Sequence, residues 1–268
     1  MIPIHDANPT RRTPWVTYVL IAINVGVFLA TPAVGLTGME GASVAELCDQ
    51  EAFYQRYGAV PDELIGNEPP QLVPTGEVGR DAAGRLGCII AEPTYEKSPV
   101  LSVLSAMFLH GGWLHLIGNM LFLWVFGNNV EDRLGALRYL LFYLLAGYVA
   151  AYGYALANAN STAPLIGASG AVAGVLGAYI VLYPRARVLS LVPFLLFIPL
   201  RLPAWVVLGM WFVLQGIYSA GYAVSEGGSV AYLAHVLGFL VGVLLALPLR
   251  RPRPATPQGW PPPLAGYR

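Results

Sequence analysis

Gly167-Ala168-Ser169-Gly170 opens an apolar run that continues to Tyr183. Its single hydroxyl, set among glycines, is either packing filler or a reactive group. Taken alone, the stretch favours packing, because small residues let two membrane helices approach closely. The balance changes only if other polar groups share its depth in a bilayer.

The rest of the chain supports a bilayer as solvent. Hydrophobic residues make up 56% of the 268 and charged residues 11%, with a mean hydropathy of +0.59. So little polar surface does not cover a water-soluble globule of this length. Basic and acidic residues balance at fifteen each, and no basic stripe with interleaved aromatics points to nucleic acid.

Outward from Ser169, the apolar runs read as six spans: 15–34, 113–126, 139–157, 165–183, 202–220 and 230–249, most of them near the roughly 20 residues that cross a bilayer. The expected fold is an all-α polytopic membrane protein, a six-helix bundle over 15–249 between an N-terminal tail (1–14) and a disordered, Pro-rich tail (250–268). Arg11 and Arg12 before the first run also fit a signal peptide; a retained first helix is the preferred reading. Residues 101–109 are too short to span and read as an interfacial or half-buried segment. The piece 188–200, broken by Pro193 and Pro199, would rise only about 20 Å as a helix and reads as interfacial.

Between the first two spans, residues 35–98 form a long polar loop with eleven acids and four bases. Cys48 and Cys88 both lie in it; outside the cytoplasm they could pair, and otherwise they are two thiols. Six spans put both termini on one side. Eleven arginines fall on that side, against Arg56, Arg80, Arg85 and Lys97 on the other, so the termini are expected to be cytoplasmic. The expected setting is a multi-pass protein of a bacterial plasma membrane, in contact with lipid; nothing in the residues bears on oligomeric state.

Ionisable and strongly polar side chains within spans mark function by default. The second, fourth and sixth spans run from outside to inside, and each carries its unusual residue early: His115 and Asn119, Ser169, and His235. At 1.5 Å per residue these lie about 5 to 10 Å below the outer surface. His115 and Asn119, four apart, share a helix face, whereas His110 and His115 would stand about 140° apart on an unbroken helix and should not converge on a metal. On the sixth span His235 shares a face with Gly238 and Gly242, and the fourth carries Gly170 and Gly174; such faces permit the close approach that a Ser169–His235 hydrogen bond needs. Ser169 is then the candidate nucleophile and His235 the general base, with no carboxylate in reach to make a triad. Oxyanion donors are expected from His115, Asn119 and the backbone N–H groups around the helix start, Gly167 and Ser169.

With these residues assembled, the sequence resembles the rhomboid intramembrane serine proteases. The likeness is carried by His110-x4-His115-x3-Asn119 within Phe108-Leu109-His110-Gly111-Gly112-Trp113-Leu114-His115, by Gly167-Ala168-Ser169-Gly170 and by Ala234-His235-x-x-Gly238, in that order across residues 101–247. It implies a six-helix fold with an active site open to the extracytoplasmic side. It also implies hydrolysis of peptide bonds in or beside transmembrane segments of protein substrates, without cofactor or metal. By position Ser169 and His235 match the family's dyad, His115 and Asn119 its oxyanion stabilisers, and His110 a further cavity histidine; the fifth helix and residues 221–229 would form the gate. The chain departs from the family at Leu101-Ser102, where many members have Trp-Arg, and at Ala173, where an aromatic often braces the catalytic imidazole. Glu131 matches a family position whose partner here is not evident from the chain.

Two other readings carry different residues. A non-catalytic rhomboid-like protein that binds transmembrane helices would normally lack the Ser or the His, and both are present. A transporter would show charges deep in the spans or paired repeats of broken helices, and neither is seen.

Overall fold

The computed structural model describes residues 1–32, 42–81, 83–192, 198–222 and 231–250, with the side chains of 221 and 222 left aside. The expected tail beyond 250 and most of the loop expected to flank the fifth helix in the gate, 223–229, lie outside these residues. Strand β1 (Ile2–Asp6) leads to helix α1 (Trp15–Ala30). Then come α2 (Val44–Tyr57), α3 (Pro61–Gly66), the hairpin β2 (Val73–Arg80) and β3 (Leu86–Ala91), and the short α4 (Pro99–Ala106). α5 (Trp113–Phe122) continues through a π-helical turn, Leu123–Gly127, into α6 (Asn128–Leu134). α7 (Ala136–Ala157), α8 (Ser169–Leu182), β4 (Arg187–Val192), β5 (Ile198–Pro203), α9 (Ala204–Tyr222) and α10 (Tyr232–Ala246) complete the order.

α8 is the centre of the bundle. Its residues from Ala171 to Tyr179 are all buried, as expected of a helix that is apolar on every side. Six of its fourteen residues are Gly or Ala, which lets its neighbours come close. Around it, α1, α5, α7, α9 and α10 turn large apolar side chains outward, among them Leu29, Ile117, Leu141, Leu156, Ile217 and Leu244. A belt of that kind is a liability in water and a match for lipid. Ala136–Ala157 and Tyr232–Leu249 are long and apolar enough to cross a membrane, while Trp15–Ala30, Ser169–Leu182 and Ala204–Ala220 are shorter apolar helices.

The charged stretch after the second apolar run is helical as far as Leu134, and Gly135, at φ +83°, makes the sharp reversal into α7 that a side chain would oppose. Glu131 has its partner here. Its carboxylate accepts from Val16 N at 3.0 Å and from Thr17 N and Oγ1 at 2.8 Å each, which caps the first turn of α1 in place of a local cap residue. The site is almost fully buried, so Glu131→Ala should leave three donors without an acceptor. We expect it to destabilise the protein by about 2–4 kcal/mol, measured by chemical denaturation in detergent, with Glu131→Gln intermediate.

The fold is not all-α. The expected interfacial piece around 188–200 contributes two strands, and these join β1 in an antiparallel sheet of order β1-β4-β5. In the fold its residues alternate: Val188, Ser190 and Val192 are buried while their neighbours are more open, a strand's period rather than a helix's. Pro199 and Pro203 sit on the edge strand β5, where a missing N–H is tolerated. The N-terminal tail is therefore ordered, and buried Asp6 ties it to the bundle by accepting from Tyr179 Oη at 2.6 Å and Asn129 Nδ2 at 2.7 Å. Burial raises the Asp6 carboxyl above its ordinary range.

On the opposite side, the expected polar loop is a small folded layer. α2 begins with a complete capping box, Ser43 with Glu46, and a Cys48–Cys88 disulfide fastens it to β3. Lys97 Nζ meets Glu63 at 2.7 Å and Gln55 O at 2.6 Å, both charges nearly fully buried; burial raises the Glu63 carboxyl and lowers the Lys97 ammonium. The disulfide closes a loop of 40 residues, which sets a ceiling of about 4 kcal/mol on its stabilisation in the chain-entropy picture. Replacing both cysteines by Ser should speed amide exchange in α2 and the β2–β3 hairpin, leaving protection in α8 and α10 unchanged.

Candidate active site

The layer of α2, α3 and the β2–β3 hairpin reaches the predicted site directly. Residues 158–168 lead from α7 to α8 through a turn at 158–160, and Ala59 and Leu165 bond each other's backbone in both directions, at 3.0 and 2.7 Å. Tyr54 Oη donates to His110 O at 2.8 Å, with burial pushing its phenol up to about 12 and so keeping it a donor. The fourth apolar run is thus helical only from Ser169, four residues later than its apolar character suggests. That late start puts Ser169 at the first helical position, where its N–H has no intrahelical acceptor, and the preceding residue, Ala168, offers no side-chain cap.

Gly167 occupies the point on which the site converges. Its φ of +119° suits glycine. A Cβ there would fall 2.8 Å from His115 Cε1 and Nε2 and 3.6 Å from Ser169 Oγ, so the imidazole edge and the hydroxyl face the same small space. Gly111 N donates to His115 Nδ1 at 3.4 Å. A ring nitrogen that accepts carries no proton, so His115 Nε2 is the N–H donor aimed at that space. Asn119, one turn further along α5 and mostly buried, gives one amide hydrogen to His115 O at 3.0 Å and has a second to offer.

Two expectations need correction. Gly167 N donates to Ala106 O at 2.8 Å, so its N–H is committed to holding the loop and is not a free oxyanion donor; of the two backbone groups expected here, the Ser169 N–H is the one at an uncapped helix start. His110 and His115 do converge, with ring centroids 5.0 Å apart. α4 has ended before His110, and the Gly111-Gly112 turn resets the chain's direction before α5, so the angle of an unbroken helix does not apply. His110 is fully buried. Among the described residues no three His, Cys, Asp or Glu side chains gather into a metal-binding group.

α10 brings His235 to this level through a seam of glycines against α8. Added Cβ atoms at Gly238 and Gly242 would run into the backbone carbonyls of Gly170 and Gly174, and one at Gly177 into that of Phe239. The two backbones touch with no side chain between them. His235 lies in the first turn of α10, three residues before Gly238, as Ser169 directly precedes Gly170. A small cavity beside Ser169 is lined by Met107, Ala150, Ile166, Gly167, Ala231 and Ala234, among others.

Three residues that sequence reading passed over complete the site. Gln215 Oε1, from α9, lies 2.7 Å from His235 Nδ1. Trp211, one turn earlier on α9, packs on the His235 ring at 6.1 Å between centroids, and Tyr232 meets it edge-on at 6.2 Å. Gln215 is the one amide in the apolar run of α9, so the rule that singled out the histidines applies equally to it. Tyr54 left no such mark, since its role depends on a contact between residues 56 positions apart.

Comparison with known proteins points in one direction. The family model described as "Rhomboid domain" matches residues 97–252. The mitochondrial Rhomboid protein 1 of Saccharomyces cerevisiae is 34% identical over 148 residues, 54% of this chain and 40% of its own. The mitochondrial RHOMBOID-like protein 6 of Arabidopsis thaliana is 28% identical over 174 residues, 63% of this chain and 52% of its own. Rhomboid protease GlpG of Yersinia pestis is 32% identical over 157 residues, 57% and 50% respectively. The chain spans about half the length of the curated relatives it matches.

Proposed function

The chain belongs to the rhomboid family of integral membrane proteins, and we propose that it is an intramembrane serine endopeptidase that cuts transmembrane protein substrates in or next to their spans. The observation that carries this reading is the convergence at Gly167: Ser169 Oγ and the His115 N–H edge face one space, and the α8–α10 seam holds the His235 helix against it. In this mechanism Ser169 Oγ attacks the scissile carbonyl while His235 Nε2 takes its proton. The carbonyl oxygen becomes an oxyanion, and Ser169 N–H, His115 Nε2–H and the free amide hydrogen of Asn119 stabilise it. His235 then protonates the leaving amine, and water attacks the acyl-enzyme by the same route in reverse. Small residues line the cavity beside Ser169, which favours a small side chain at the cleaved bond.

In the proposed topology six helices cross the membrane, both termini are cytoplasmic, and the layer formed by α2, α3 and the β2–β3 hairpin lies outside, over the site. Reconstitution in liposomes tests the activity. A fluorophosphonate should label Ser169, identified by peptide mass spectrometry, and a substrate with a transmembrane segment should be cut within or beside that segment. Absence of labelling together with absence of cleavage would favour a helix-binding, non-catalytic member instead.

A further inference from the structure

We propose that Gln215 is the positioning residue for the catalytic base, and that α9 thereby takes the orienting part that a carboxylate plays in a triad. This rests on the reading of His235 as base to Ser169. Gln215 Oε1 lies 2.7 Å from His235 Nδ1, and a carbonyl oxygen only accepts. The contact therefore selects the tautomer with hydrogen on Nδ1 and leaves the Nε2 lone pair for the Ser169 proton, as the aspartate of a triad does. Without it, a neutral imidazole is free to carry its hydrogen on Nε2, where it cannot act as base.

The same helix supplies the ring's brace. Trp211 and Gln215 are four apart and share a face of α9, so one surface presents both the tilted aromatic contact and the acceptor to His235. Ala173 cannot be that brace. It is fully buried, and its Cβ is within 3.4 Å of where a Cβ on Gly238 would stand, which leaves no room for an aromatic between α8 and α10. In this chain the aromatic contact to the His235 ring comes from Trp211 of α9 instead.

α9 is anchored mainly at its inner start. Ala204 N and Trp205 N donate to Ala186 O and Pro184 O at 2.8 and 3.1 Å, and Ala204, Val207 and Leu208 are its buried residues. Further along, Val213, Leu214, Ile217 and Tyr218 are exposed. Gln215 sits in this less packed half, so the alignment of the base depends on the outer part of α9 staying against α10.

The test compares Gln215→Met, which keeps size and loses the acceptor, with Gln215→Glu, which keeps an acceptor, in liposomes with one transmembrane substrate. Gln215→Met should lower kcat by about tenfold or more with KM unchanged, and Gln215→Glu should stay within about threefold of the parent. Nitrogen-15 spectra of the imidazoles should show His235 protonated at Nδ1 in the parent and shifted toward the Nε2–H form in Gln215→Met. That readout does not move if the side chain only fills space, and it needs no turnover. Wild-type kcat and an unchanged spectrum in Gln215→Met would overturn the proposal. Ser169→Ala in parallel separates the two failures: if it still cleaves, the dyad reading is wrong, whereas an inactive Ser169→Ala beside an unaffected Gln215→Met removes only the role of Gln215.

Discussion

Ser169→Ala is expected to lower cleavage of a transmembrane substrate by about 10⁴-fold or more without changing the melting temperature of the purified protein appreciably. The side chain heads α8 beside a small cavity, and losing one oxygen there removes no packing partner that the helix needs. The oxyanion donors and the substrate contacts survive the change, so residual activity above the uncatalysed rate is compatible with the mechanism. His235→Ala should fall to a similar level, and the double substitution should be little worse than either alone, because nucleophile and base act as one unit. A rate for Ser169→Ala within tenfold of the parent, measured by single-turnover cleavage in liposomes, would remove Ser169 from the mechanism and with it the functional proposal.

The second large effect is structural and is expected at Gly242. A Cβ at this position would overlap the Gly174 carbonyl, with the carbonyl carbon and Cα of Gly174 next nearest. No flexible side chain can yield; the helices themselves must separate. Overpacking of this kind costs about 3 kcal/mol or more when backbone has to move, and the separation is transmitted along the seam to Ser169 and His235. A misplacement of about 1 Å can cost 10²-fold in rate. Gly242→Ala is therefore expected to lose both stability and activity, with Gly238→Ala close behind it. Gly209→Ala and Gly216→Ala on α9 are the controls: nothing lies within 4 Å of an added Cβ at either, and stability should hold or rise by up to about 1 kcal/mol. Equal behaviour of Gly242→Ala and Gly209→Ala in thermal denaturation would contradict the close α8–α10 contact.

Much of this was readable along the chain, for reasons particular to membrane proteins. Lipid satisfies no backbone polar group, so a long apolar run has few options besides helix, and the helices fall where the runs are. A histidine or serine within such a run stands out because the surroundings are uniform. Outside the apolar runs these rules weaken. The polar stretch between the first two runs folds into helices, a hairpin and a disulfide. Its polar composition signals only that it meets water, and which secondary structure it adopts depends on contacts with the bundle such as Ala59 with Leu165. The three-stranded sheet was hidden for a similar reason: β1 pairs with β4 across more than 180 residues, and neither strand is distinctive until the other lies beside it.

The sequence by itself determined the lipid-suited helices, the glycine faces on the fourth and sixth runs, and a set of polar residues at one depth. Tertiary structure alone decided which partner each polar group has. Gln215 pairs with His235, Gly111 N–H turns the His115 donor toward Ser169, Ala106 takes the Gly167 N–H, and Glu131 caps α1. Local sequence sets the period of a helix and the face a residue occupies. The partner is set by the rotation and closeness of another helix, and those are fixed by packing between segments far apart in the chain. At Gly167 the two meet: a glycine that reads as a packing residue in the chain becomes, in the fold, the gap across which the Ser169 hydroxyl and the His115 ring edge face each other.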